Sequence, residues 1–381
     1  MRVACISTSK VPGITANAIQ LMTTCDALVR IGHEVTLWLP DYGAGMDWEA
    51  AVRQYGLHNA FPIRRFPALP LLRRYDFCWR AVRAADDWGA ELYYVWALQA
   101  AALAAGGGRA TVLELHDRPT GRFGPRLFRR MLEAQAPRRV LVTTHALESY
   151  LKRTYEADLV QALCLYAPNG VDLTRYRSLP APPAARQALG WPEAFTAVYT
   201  GHLYRGRGAP LMLELAERNP DFRFVWAGGQ PEQVDRWQRR AESKGLENLS
   251  LIGFVDHQQI PLVQAAGDVL LMPYEEQIEI SGGGDSAPFA NPMKAYEYLA
   301  AGRPILSSDL PVIREPLTEK NAVLLPPRKV DVWQEALGRL RADPDLRDRL
   351  GARAKRDSQN YGLTERARRA LDGFVRGPVD A

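Results

Sequence analysis

The feature that most constrains this chain is an alternation of short apolar runs with helical lengths, repeated in two series and broken once between them. In the first series, strands are predicted at Val3–Ser7, Glu34–Pro40, Leu92–Trp96, Thr111–Leu115, Val140–Thr143 and Leu163–Ala167. A helix over Asn17–Arg30, carrying Ile19, Met22, Ala27 and Leu28 at helical spacing, ends at Gly32. Periodicity lapses around Arg175–Trp191, where Leu179-Pro180-Ala181-Pro182-Pro183 reads as a stiff linker. A second series follows at Ala197–Thr200, Phe222–Ala227, Leu249–Ile252, Val269–Pro273, Ile305–Ser307 and Ala322–Leu325. Strands separated by helical lengths imply right-handed crossovers and parallel sheets.

The expected fold is therefore α/β, with two Rossmann-like domains facing a deep interdomain cleft where strand ends hold ligands. The expected boundaries are residues 1–178, 179–362 and 363–381, the last a helix over Leu363–Val375 packing back on the first domain. A chain of 381 residues exceeds one ordinary core, which agrees with two domains.

One segment points to chemistry. In Asn291-Pro292-Met293-Lys294-Ala295-Tyr296-Glu297-Tyr298-Leu299-Ala300-Ala301-Gly302, Asn291 suits an N-cap, Pro292 the first helical position and Gly302 the left-handed end. Such a helix offers free N–H groups and a positive dipole end to an anion, and Lys294 adds a full charge. Glu297, three residues further on the same face, can accept two hydroxyl hydrogen bonds. A phosphate and a diol one turn apart describe a nucleotide; a well-capped surface helix is the plain alternative.

Composition excludes several classes. With 47% hydrophobic and 24% charged residues the chain is globular, and no run approaches membrane-spanning length. The N-terminus reads as a strand, not a secretion signal. Cys5, Cys25, Cys78 and Cys164 show no metal or disulfide spacing, which predicts a cytoplasmic protein without a metal. A net charge of +5 permits anionic partners without requiring nucleic acid.

Further loops fall at strand ends. Gly201-His202-Leu203-Tyr204-Arg205-Gly206-Arg207-Gly208 combines close backbone approach with two arginines, and Gly228-Gly229 marks another close approach. Gly13 lies between the first strand and helix, and His116-Asp117 ends the fourth strand. Gly282-Gly283-Gly284-Asp285 precedes the phosphate helix. Asp256 with Gln259 reads as a capping box. The stretches Phe61–Phe66, Leu71–Arg80 and Arg122–Arg139 mix arginines with aromatics, which suits peripheral contact with the inner face of a membrane or an ordinary solvated basic face.

Together these residues resemble the family-4 retaining glycosyltransferases of the GT-B fold, over nearly the whole chain. The resemblance rests on Arg30-Ile31-Gly32-His33-Glu34-Val35, Pro168-Asn169-Gly170-Val171-Asp172, Gly201–Gly208, Gly267–Pro273, and Pro292–Gly302 followed by Arg303-Pro304-Ile305. It implies a nucleotide-sugar donor, with Glu297 on the ribose, Asn291, Pro292, Met293 and Lys294 around the phosphates, and Arg207 neutralising the diphosphate. His202 stands where the family has arginine, with Arg205 near enough to compensate. Gly13 matches a first-domain loop that touches the diphosphate, and His116 a histidine near the transferred sugar. Eight positions before Glu297, where the family places a first glutamate, stands Phe289, leaving Asp285 as the nearest acid.

The resemblance further implies front-face transfer without a metal or other cofactor, in which Arg207, Lys294 and His116 serve catalysis. A UDP-sugar donor is favoured and a GDP-sugar next, with a glycan, lipid-linked or small-molecule acceptor bound by first-domain loops such as Tyr42–Ala60 and Arg118–Pro125. A non-catalytic nucleotide-sugar-binding protein and an epimerase of the same fold are the competing readings.

Overall fold

The computed structural model describes residues 1–43, 45–72, 74–278 and 287–374. It divides into two compact units: Met1–Asn169 together with the chain from Leu363 onward, and Gly170–Gly362. The division falls before the proline-rich stretch, which instead opens a helix at Pro182–Ala188 inside the second unit. Pro182 and Pro183 supply the fixed φ that suits a first helical turn, so stiffness there starts a helix and does not link domains.

The first unit holds a seven-stranded parallel sheet of order β3-β2-β1-β4-β5-β6-β7. Its strands are β1 Arg2–Ile6, β2 Glu34–Pro40, β3 Ile63–Phe66, β4 Leu92–Val95, β5 Thr111–Leu115, β6 Arg138–Val142 and β7 Cys164–Tyr166. The second unit holds a six-stranded parallel sheet of order β10-β9-β8-β11-β12-β13. These are β8 Thr196–Thr200, β9 Arg223–Ala227, β10 Leu249–Gly253, β11 Val269–Met272, β12 Ile305–Ser308 and β13 Val323–Leu325. Central strands such as β4, β5, β8 and β11 are buried throughout, as strands covered on both faces must be.

Strand β3 was not expected. Ile63-Arg64-Arg65-Phe66 is an edge strand with no fully buried residue, so it lacks the apolar run that reveals its neighbours. The basic-aromatic reading changes accordingly. Phe77 and Cys78 are core residues of the helix Tyr75–Asp87, and Arg138 and Arg139 are internal ties. Arg138 donates to Leu132 O at 2.9 Å, and Arg139 to Ala370 O at 2.9 Å.

The helix Leu363–Leu371 completes the first unit. Leu363, Ala367, Ala370 and Leu371 join one core with Leu21, Leu28, Leu37 and Tyr94. Arg366, on the same helix, is buried and grips the fully buried Glu114 with two hydrogen bonds of 2.8 and 3.1 Å. It also donates to Pro168 O at 2.7 Å and Ala167 O at 3.1 Å. Burial alone would raise the Glu114 carboxyl, but the Arg366 guanidinium and the hydrogen bond from His116 hold it far below the usual carboxylate range. Tyr94 Oη and Gln20 Nε2 donate to the same carboxylate.

Removing one member of a buried pair leaves the other charge uncompensated, at a cost of about 3–5 kcal/mol. Arg366→Leu is expected to lower unfolding stability by that order in urea titration. A double variant with Glu114→Leu is expected to be less destabilised than the sum of the single ones.

Candidate functional site

The chemistry-bearing residues of the second unit gather at the carboxyl end of β8 and the start of the helix Met293–Ala301. The helix begins one residue later than expected, with Pro292 as its extended N-cap. Asn291 does not cap it; its Nδ2 donates to Tyr296 Oη at 2.7 Å. Gly302 closes the helix in the left-handed conformation, as read. The expected capping box at Asp256 is also absent. Gln259 N–H donates to the Asp256 carbonyl at 2.8 Å, a turn ahead of the helix Ile260–Ala265.

Lys294 is buried and its ammonium lies 3.8 Å from the Tyr199 ring centroid and 5.2 Å from that of Tyr274. Arg207 stacks on the same Tyr274 ring at 4.6 Å. Two cations thus share one aromatic wall. Among the described residues neither Lys294 Nζ nor Arg207 Nε has a hydrogen-bond acceptor. Burial, then the neighbouring Arg207, push the Lys294 ammonium well below its ordinary range, and Glu297 offsets this only in part. Cation–π contact recovers some of that cost, but a buried cation without a hydrogen-bonded anion among the described residues remains expensive.

The glycine loop is shaped around this lysine. Gly201 has φ +134°, and a Cβ there would stand 2.6 Å from Lys294 Nζ. Gly208, at φ +78°, starts the helix Ala209–Arg218 where a Cβ would run into the Pro273 carbonyl. Tyr199 Oη donates to His202 O at 2.6 Å, and the His202 ring stacks on Tyr204 with centroids 4.8 Å apart. Arg205 is exposed.

Glu297 is buried and already engaged. His257 Nε2 lies 2.7 Å from its Oε1, and Gln264 Nε2 donates to Oε2 at 3.3 Å. Burial opposes ionisation, yet the hydrogen bond from His257, with Arg175 and Gln264 in support, holds the carboxyl below its ordinary value. Sequence reading missed His257, Gln264 and Arg175, since no spacing links positions on three separate elements. Phe289 is half-buried in the short 3-10 turn Ala287–Phe289. Asp285 and the glycines before it lie outside the described residues.

Gly13 and His116 belong to the first unit. Gly13 N–H donates to Tyr55 Oη at 2.9 Å, and the Gly13 carbonyl accepts from Gln54 Nε2 at 3.0 Å. His116 Nε2 lies 3.0 Å from Glu114 Oε1, so its ring is aimed by the buried carboxylate that also holds Arg366. Among the described residues no cluster of three His, Cys, Asp or Glu side chains is placed to hold a metal, and no helix is long and apolar enough to cross a membrane.

Comparison with known proteins defines the class. Residues 183–357 match the model of glycosyl transferases group 1, and residues 18–175 that of glycosyltransferase family 4. The structure is similar to sucrose-phosphate synthase from Thermosynechococcus elongatus, with a TM-score of 0.73, 18% identity and 97% of each chain covered. It is equally similar to Anabaena HepE solved with UDP-glucose, at a TM-score of 0.73 and 17% identity over 98% of each chain. The two parallel-sheet units are thus those of a GT-B glycosyltransferase. Within that class the chain belongs to family 4. A curated relative, the D-inositol 3-phosphate glycosyltransferase of Xylanimonas cellulosilytica, is 27% identical over 238 residues, which cover 59% of this chain and 54% of that one. The chain spans between 34% and 54% of the length of the curated relatives it matches.

Lys294→Met removes the cost of the buried charge and keeps the apolar stem. It is expected to raise the melting temperature of the ligand-free protein at neutral pH while weakening anion binding. The pH dependence has a definite sign. Lys294 titrates below its unfolded value of about 10.4. Between the two values only the unfolded chain holds the proton, so wild-type stability relative to Lys294→Met rises with pH. Melting scans of both proteins from neutral to alkaline pH are expected to converge.

Proposed function

We propose that this protein transfers a hexose from a nucleotide-diphosphate sugar, a UDP-sugar first and a GDP-sugar next, to a hydroxyl of a glycan, lipid-linked or small-molecule acceptor. The observation that carries this reading is the buried Lys294 ammonium, set beside Arg207 at the first turn of a helix and without an acceptor among the described residues. Such an arrangement is stabilised by an arriving anion, and a diphosphate matches its charge. Glu297 one turn on takes the ribose hydroxyls.

The transfer retains configuration through front-face attack. The acceptor oxygen bonds to the anomeric carbon as the bond to the diphosphate breaks, and the acceptor proton passes to an oxygen of the leaving phosphate. Arg207, Lys294 and the helix N-terminus stabilise the charge that develops on that group, in place of a metal. His116 and Gly13 are the candidates for contact with the transferred sugar and the diphosphate. HepE, crystallised with UDP-glucose, supports a UDP-sugar.

Thermal unfolding with UDP, GDP, ADP and dTDP and their common sugars tests the donor site. Saturation near a hundred times the dissociation constant adds about 2.7 kcal/mol, several degrees for domains of this size. One nucleotide is expected to shift the transition, and Glu297→Ala and Arg207→Ala are each expected to abolish that shift. Arg207→Ala is expected to reduce turnover about a hundred- to thousand-fold, and His116→Ala to reduce turnover more than binding. Unchanged nucleotide affinity in both site variants would overturn the assignment. Binding without sugar release would favour a non-catalytic binding protein.

The same reading places the protein in the cytoplasm, in peripheral contact with an anionic membrane face. Leu71, 96% exposed, Leu69, Leu72, Trp79 and Phe123 stand at the surface near Arg74 and Arg122 in sequence. Apolar side chains interleaved with arginine suit an anionic interface. Co-sedimentation with phosphatidylglycerol vesicles is expected for the wild type and lost on Leu71→Glu with Leu72→Glu.

A further inference from the structure

Glu297 owes its orientation to residues that lie far from it in sequence. His257 follows β10 and is buried, with Nε2 2.7 Å from Glu297 Oε1. On its other side, Nδ1 lies 2.8 Å from Arg175 Nη1, and Arg175 Nη2 also donates to the His257 carbonyl. A guanidinium has donors only, so Nδ1 is the accepting nitrogen and the proton sits on Nε2. The hydrogen bonds therefore run in one direction, from Arg175 through the imidazole to the carboxylate. Gln264 approaches the other carboxylate oxygen, and its own carbonyl accepts from Tyr176 Oη at 3.0 Å. Arg175 and Tyr176 sit together in the short 3-10 turn Leu173–Tyr176.

We propose that His257, aimed by Arg175, is a positioning and specificity residue: it fixes the Glu297 carboxylate so that its remaining lone pairs meet both hydroxyls of a ribose. This rests on the nucleotide-sugar reading above. A carboxylate has about four acceptor sites, and the two side-chain donors leave the others for a diol. Were Glu297 free to rotate, it would satisfy one hydroxyl at a time, and the protein would lose its preference for ribose more than its hold on the phosphates.

The test is isothermal titration with UDP and GDP, each beside its 2′,3′-dideoxy counterpart. The wild type is expected to bind the ribose form about ten- to a hundred-fold more tightly, the worth of hydrogen bonds to a charged acceptor. His257→Ala is expected to close that gap to a few-fold, by weakening the ribose form while affinity for the dideoxy form holds. His257→Gln, whose amide can donate to Glu297 and accept from Arg175, is expected to restore much of it. If His257→Ala does not fold, His257→Asn, too short to reach the carboxylate, is read in the same way. An unchanged gap, or equal weakening of both forms, overturns the proposal and leaves the nucleotide site standing. A wild type that binds no nucleoside diphosphate, or binds both forms equally, overturns the reading beneath it and the proposal with it.

Discussion

The first unit depends on one buried ion pair. Glu114 is the penultimate residue of the inner strand β5, fully enclosed, where an ionised carboxylate is tolerated only with a matching cation. Arg366 supplies that cation from a helix more than two hundred residues later in the sequence. Its remaining N–H groups hold the carbonyls of Ala167 and Pro168, where the chain leaves the unit. One guanidinium thus ties the returning helix to the carboxyl end of β5 and to the stretch that follows β7. The pair also orients a neighbouring ring, since His116 hangs from the same carboxylate.

The second unit makes the opposite choice. Where the first compensates its buried charge completely, the second leaves Lys294 against two tyrosine rings with another cation beside it. Burial and the neighbouring Arg207 both disfavour that charge, and an arriving anion would relieve the cost. Strained or uncompensated groups of this kind belong at functional sites, held by surroundings that over-determine them. Gly201 and the buried Tyr199 provide that surrounding here.

How much of this was legible in the sequence follows from which signals are local. Buried parallel strands announce themselves as apolar runs, so Thr111–Leu115 and Glu34–Pro40 could be read to the residue. The edge strand Ile63–Phe66 could not, because an edge carries charge and need not be apolar. Gly302 was readable because only a left-handed end calls for glycine there. Asn291 was misread because Pro292 takes the N-cap position and the Asn291 amide turns to Tyr296, five residues on in that helix. Arg207, Lys294 and Glu297 were singled out from charge beside turn chemistry, and the structure brings the first two onto one tyrosine ring. His257, Arg175 and the Glu114–Arg366 pair were invisible, since each is defined by a partner that only the fold brings near.

The discontinuity of the first unit has a consequence for how the chain is made. The second unit is one uninterrupted stretch, Gly170–Gly362, whereas the first lacks a piece of its core until Leu363–Leu371 has been synthesised. During translation the usual order of N-terminal domain first is therefore inverted at the finish. The second unit has everything it needs while the first still waits with Glu114 uncompensated and the surface of Leu21 and Leu28 uncovered. Completion of the first unit then reports that translation has passed through the entire second one, so a product truncated within the second is left with a first unit that cannot close.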